Sequence, residues 1–243
     1  MDKDKNFAIL LATTFAIVVG SFITMTEQYA FNVIMMAAVV VSTWGTMLAN
    51  ADKKVNFAVN IISCVLICYV YLYVGLHAMA ITYGFLFLMN VHKYTDQTEK
   101  KQENRKLGGK RAILVFCSFL AFGLLLAVIL KPIFADWSIL DTARLLFADS
   151  EILTSNRSVP LMVFDVVGAA GNVIGQILMN LRFLDANLYW IVVNVSQIAA
   201  FAILIFHDDR IYLWPMLIMY VIWLANSIML IYQLKKSEQI SES

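Results

Sequence analysis

The residues best suited to chemistry in this chain are neutral. Trp190, Asn194, Gln197 and Phe201 recur at i, i+4, i+7 and i+11, which places them on one face of a helix. Tyr220, Trp223, Asn226 and Ser227 make a second face of the same kind. Asn60 with Ser63, and then Tyr83, Phe87 and Asn90, add further amides and rings, and Trp44 lies toward the end of its own apolar run. Aromatic faces stack on flat rings, and side-chain amides pair with hydroxyl or carboxamide groups. The combination suits a flat, polar small molecule, and a cationic ring would gain cation–π attraction from Trp190 or Trp223.

What is missing narrows the chemistry further. Asp165 is the one carboxylate inside an apolar segment. It could cap an outer gate, pair with a loop arginine, or serve as counter-ion to a cationic substrate. The sequence has no phosphate-binding P-loop, no HExxH and no nucleophile elbow. Cys64, Cys68 and Cys117 all lie in apolar segments; without His or carboxylate neighbours they read as fillers rather than a metal site. His77, His92 and His207 sit at segment ends, where histidines are commonly interfacial. The expectation is therefore a non-enzyme without metal or cofactor. Each polar residue also has a structural reading, as a helix–helix hydrogen bond or part of an aromatic belt.

These residues need rigid elements, and composition says which. Apolar residues make up 61% and charged ones 14% of 243, with a mean hydropathy of +0.76. Soluble proteins have about 45–50% and 25%. Eight apolar segments, at 7–25, 29–49, 55–75, 77–92, 112–134, 161–180, 187–206 and 211–233, approach the roughly 20 residues of a membrane-spanning helix. None alternates as a barrel strand would. An all-α, multi-pass membrane protein of about eight transmembrane helices is expected. The N-terminal run is too long, and lacks the small-residue cleavage site, for a signal peptide.

Fourteen of the eighteen Lys and Arg residues fall on one side if the N-terminus is cytoplasmic, which puts both ends in the cytoplasm and the protein in the cell membrane. The basic run Lys93–Arg111 then reads as a solvated inner loop rather than a nucleic-acid site. The acidic stretch 135–159 contains an amphipathic piece around Trp137–Phe147 and lies on the outer face.

A weak internal repeat organises the segments. Asn60 aligns with Asn194, and Asn90 with Asn226, at separations of 30 and 32 residues within the two halves. Two three-helix units joined by one helix must run in the same direction, a parallel 3+1+3 repeat preceded by an extra helix. The implied divisions are 1–28 (extra helix), 29–93 (first repeat), 94–160 (inner loop, linker helix and outer loop), 161–235 (second repeat) and 236–243 (tail). Gly168, Gly171 and Gly175 suit close helix packing.

With these motifs in place, residues 30–235 resemble the PnuC-type vitamin transporters, the nicotinamide riboside carriers. The resemblance rests on Lys54-Val-Asn-Phe-Ala-Val-Asn60 followed by Tyr69, Tyr71 and Tyr73, and on Asp165 opening a span. Trp190-Ile-Val-Val-Asn194, which looks like the family's WxxxN element, and the closing segment with Asn226 and Tyr232 complete it. The chain departs from the family at Asn187-Leu188, where a second Trp is common.

The resemblance implies a fold related to the SWEET sugar carriers. It also implies import of nicotinamide riboside by facilitated diffusion, with trapping by a cytoplasmic kinase that need not touch the carrier. Thiamine and riboflavin are the alternatives within the family. A membrane-embedded binding subunit of a larger importer, or a sensor without transport, are alternatives outside it. The expected partners are a small vitamin or nucleoside and the lipid bilayer, without nucleic acid; a homo-oligomer is compatible with the sequence.

Overall fold

The computed structural model describes residues 29–50, 55–95, 113–115, 117–119, 121, 123, 125, 159–181, 183 and 186–242. Its elements are α1 (Tyr29–Asn50), α2 (Val55–Val74), α3 (His77–Thr95), α4 (Val159–Asn180), α5 (Ala186–Phe206), a 3₁₀ turn (Ile211–Leu213) and α6 (Trp214–Glu242). The described positions between 113 and 125 are helical too. The expected helix at 7–25, most of the inner loop, the acidic outer stretch and much of the expected helix at 112–134 lie outside the described residues.

Among the described residues, four helical stretches are long and apolar enough to cross a membrane: Val55–Val74, Pro160–Met179, Ala186–Phe206 and Ile211–Tyr232. Ala30–Gly45 is apolar over a shorter length. In lipid a helix satisfies all its own backbone groups, which is why uninterrupted apolar runs become helices here. Two helices outrun their apolar segments. α3 continues from the expected end at 92 to Thr95, and α6 continues from 233 to Glu242. The extension of α6, LKKSEQISE, contains neither Gly nor Pro, so nothing local stops it.

The helices pack in a closed cycle. α1 packs on α2 and α2 on α3; α4 packs on α5 and α5 on α6; α3 then meets α4, and α6 meets α1. The same order of contacts is thus followed in each group of three. The buried centre is built mainly from large side chains of α2, α3, α5 and α6, among them Ile67, Tyr71, Met79, Phe201, Leu204, Met216 and Tyr220.

One end of the bundle is capped by charge against backbone. The α2–α3 turn is a Schellman motif: Leu76 N–H donates to the Tyr71 carbonyl (2.9 Å) and Gly75 N–H to that of Leu72 (3.3 Å). Gly75 sits at φ 85°, a conformation that suits a residue without Cβ. Two residues of the second group of helices reach this turn. Asp165 accepts the Ala78 and Met79 N–H groups at 3.1 and 3.0 Å, at the N-terminus of α3. Arg210 Nη1 donates to the Val74 carbonyl at 3.2 Å, at the C-terminus of α2. Each charge meets the helix end whose dipole it complements.

α4 and α5 approach each other closely because α4 presents glycine. A Cβ at Gly168 would collide with the Gln197 amide, one at Gly171 would lie 2.7 Å from Val193 Cγ2, and one at Gly175 would lie 3.2 Å from the Trp190 indole. Gly45 of α1 gives the same room to Asn60. Close approach through small residues is how helices associate where lipid removes the hydrophobic drive.

Candidate functional site

A cavity of about 140 Å³ opens among the helices, on the side away from the capped end. That is close to the volume of cavities that take up a benzene ring. Helix directions order its walls by depth. Tyr83, Asn172, Asn194 and Trp223 lie at its inner end, while Met179 in the last turn of α4 and Asn187 in the first turn of α5 lie at its mouth. Asn60, Asn90 and Asn226 stand between, with Trp190 and Gln176.

Seven of the expected residues therefore meet around one space: Asn60, Tyr83, Asn90, Trp190, Asn194, Trp223 and Asn226. The amides are oriented individually. Asn60 Nδ2 donates to Asn56 Oδ1 (2.5 Å), Asn90 Nδ2 to the Leu86 carbonyl (2.8 Å), and Asn194 Nδ2 to Ser227 Oγ (3.4 Å). Ser227 in turn donates to the Trp223 carbonyl at 2.9 Å. The Trp190 indole rests on Gly175, whose missing side chain lets it lie against the α4 backbone.

Three expected site residues are placed elsewhere. Trp44 is 51% exposed and does not line the cavity. Ser42, which does, is two residues away, about 200° around the helix. Gln197 is fully buried one turn beyond Asn194, past the cavity's inner end, and accepts a hydrogen bond from the Tyr71 hydroxyl at 3.0 Å. Asp165 is buried at the capped end, where it holds the first turn of α3; it is absent from the cavity wall. The geometry thus gives its charge to backbone N–H groups rather than to a ligand in this cavity.

The wall also contains residues outside the expected set. Asn172 and Gln176 from α4, Asn187 from α5, and Ser42 line it. Asp165, Asn172 and Gln176 stand at i, i+7 and i+11, the same one-face spacing that marks α5, so this signal was present in the sequence. Cys64, expected as a filler, lines the cavity as well, with Asn90 Nδ2 3.8 Å from its sulfur.

Beyond the inner end, a layer of aromatic residues closes the space. Tyr71 is hydrogen-bonded to Tyr220 as well as to Gln197, and the Tyr83 and Tyr220 hydroxyls are 3.4 Å apart. Tyr71 stacks on Tyr83 (centroids 5.5 Å apart) and Phe201 on Tyr220 (5.9 Å). The layer joins α2, α3, α5 and α6 and separates the cavity from the capped end. No group of three or more His, Cys, Asp or Glu residues able to hold a metal occurs among the described residues.

The described wall of the cavity is uncharged and rich in amides, within a bundle of apolar helices. The model of the nicotinamide mononucleotide transporter family matches residues 32–236. The chain belongs to this family. Its fold is similar to one solved structure, "Crystal structure of the Vitamin B3 transporter PnuC", with a TM-score of 0.64 and 18% sequence identity over 97% of this chain and 92% of that one. No curated protein matches the chain. Family membership and several apolar helices together make this a multi-pass membrane protein.

Proposed function

We propose that the chain carries nicotinamide riboside, the dephosphorylated form, across the cell membrane by facilitated diffusion. The observation behind this is the charge of the cavity. Its wall has seven side-chain amides, two Trp and one Tyr, and no Asp, Glu, Lys, Arg or His among the described residues. A phosphate monoester carries about −1.5 to −2 charges at neutral pH and is ordinarily met by Arg or Lys. Stripping it of water without such a partner costs several kcal/mol. A riboside has no such group, and its cationic ring is suited to Trp190 and Trp223.

Facilitated diffusion is the mechanism that asks least of this architecture. Ion-coupled carriers usually place ionisable groups near the membrane centre, and the one buried carboxylate among the described residues, Asp165, caps α3. Phosphorylation by a cytoplasmic kinase would then retain the substrate. The cycle of helix contacts agrees with a parallel duplication of three-helix units, with Asn60 paired to Asn194 and Asn90 to Asn226 about the cavity. With both termini in the cytoplasm, the cavity mouth faces inward.

The test uses purified full-length protein and ligand-induced thermal stabilisation. Nicotinamide riboside is expected to stabilise strongly and its 5′-phosphate weakly or not at all. Uptake into sealed liposomes without ATP should follow. Stabilisation by the mononucleotide alone, or by thiamine or riboflavin instead, overturns the substrate; uptake only with a separate ATPase overturns the mechanism.

A further inference from the structure

Buried polar atoms without partners are scarce in proteins and call for an explanation. Four of them gather at the inner end of this cavity: Asn172 Nδ2, Asn172 Oδ1, Asn194 Oδ1 and Trp223 Nε1. Asn172 and Asn194 are each 1% exposed. The Tyr83 hydroxyl lies beside Asn172 without completing a bond of normal geometry. Nearer the mouth the pattern differs, since Asn60 and Asn90 are bonded to Asn56 and to the Leu86 carbonyl.

The four atoms are two donors and two acceptors. Resting on the riboside reading above, we propose that Asn172 is a specificity-determining residue that pairs with a primary carboxamide on the substrate ring. The ring then lies inward and the sugar toward the mouth. A carboxamide has two N–H groups and two carbonyl lone pairs, which matches the set one for one. Its N–H groups donate to Asn172 Oδ1 and Asn194 Oδ1, while its oxygen accepts from Asn172 Nδ2 and Trp223 Nε1. A carboxylate in its place has no proton to give and sets a negative charge against two carbonyl oxygens. A methyl ketone keeps the acceptor and loses both donors. The space fits the proposal: at about 140 Å³ it has room for one six-membered ring, and Gly175, one turn from Asn172, is where the Trp190 indole lies.

The experiment compares four ribosides on the purified full chain by titration and thermal stabilisation. They are nicotinamide riboside, its carboxylate analogue, its methyl ketone analogue, and nicotinamide riboside methylated at the 5′-oxygen. Wild type should prefer the carboxamide over the ketone by about tenfold or more, the ratio expected when buried polar groups lose their partners. It should reject the carboxylate more strongly and bind the 5′-methyl compound within about threefold, because that group sits at the mouth.

Asn172→Leu, similar in size, should erase the carboxamide preference and lower affinity by about tenfold. It should leave the melting temperature of the unliganded protein undiminished, since Asn172 makes no hydrogen bond of normal geometry there. A variant that keeps the preference, or a ligand-free protein clearly destabilised by the change, overturns the assignment while leaving the riboside reading intact. So does a wild type indifferent to carboxamide or ketone, a comparison that needs no variant to fold. A wild type stabilised by none of the four overturns both readings together.

Discussion

The Tyr71 hydroxyl donates to Gln197 Oε1 at 3.0 Å, joining α2 to α5 across the middle of the bundle. Both side chains are fully buried, and Tyr71 is also bonded to Tyr220. A double-mutant cycle of Tyr71→Phe and Gln197→Leu should give a positive coupling of about 0.6 kcal/mol, and at most about 1.7, as for other interhelical bonds in membranes. Thermal unfolding in detergent measures it. Zero coupling would show that the two groups share a site without stabilising each other.

Asp165 should act on stability and leave affinity nearly untouched. Asp165→Ala uncaps the Ala78 and Met79 N–H groups and should destabilise by about 1–2 kcal/mol, the usual effect of losing an N-cap. Asp165→Asn keeps an acceptor and should lose less. Riboside affinity of either variant, measured well below its melting point, should stay within about threefold of wild type. A large affinity loss in Asp165→Asn with normal stability would restore the counter-ion role.

Alanine substitutions at glycine should rank by the space each Cβ meets. Gly168→Ala and Gly171→Ala drive a methyl into Gln197 and Val193 and should destabilise, by about 1–3 kcal/mol for overpacking. Gly175→Ala should fold and weaken ligand binding by displacing Trp190 a few tenths of an ångström. Gly84, with nothing within 4 Å, should tolerate alanine or gain up to about 1 kcal/mol from helix propensity. Unfolding curves and riboside titrations of the four variants settle the order.

Trp190→Ala and Asn194→Ala should lower riboside affinity by about 5- to 150-fold while the protein inserts and purifies normally. Trp44→Ala, at an exposed position away from the cavity, should bind like wild type. Cys64 lines the cavity, so its alkylation by a small maleimide should be slowed by bound riboside; exposed Cys117 should react at the same rate with or without ligand.

Topology has its own measurement. A cysteine placed within 95–105 should be labelled by an impermeant reagent only after the membrane is opened, whereas one within 140–155 should be labelled in intact cells. The reverse pattern turns the protein over and points the cavity mouth outward.

Several parts of this structure were legible in the sequence for identifiable reasons. Helix limits at Asn50, Val74 and Phe206 follow from polar breaks in apolar runs, because lipid penalises unpaired backbone and those breaks are where the chain can leave it. Asn60, Asn90, Asn194 and Asn226 could be grouped because polar residues at matched places stand out against an apolar background. The position of Gln197 was not legible. It shares a helix face with Asn194, and only the tyrosines of other helices decide that the cavity ends between them. Asp165 was illegible for a different reason: the groups it caps on α3 are main-chain N–H groups, which leave no mark in a sequence. Trp44 depended on the rotation of α1, fixed by neighbours rather than by its own weakly amphipathic pattern.

The absence of ionised side chains among the described residues of the cavity wall also has an electrical meaning. A nicotinamide ring joined to ribose through its nitrogen is a pyridinium, so on the proposed function each molecule would cross with one positive charge, and no carboxylate of the described wall would cross with it. Moving one elementary charge through 100 mV changes its free energy by about 2.3 kcal/mol, equivalent to a concentration ratio of about fifty. A passive carrier of such a cation would generate a current. The interior-negative potential of a cell would draw the cationic riboside inward before any kinase acts, while a neutral analogue using the same cavity would only level out.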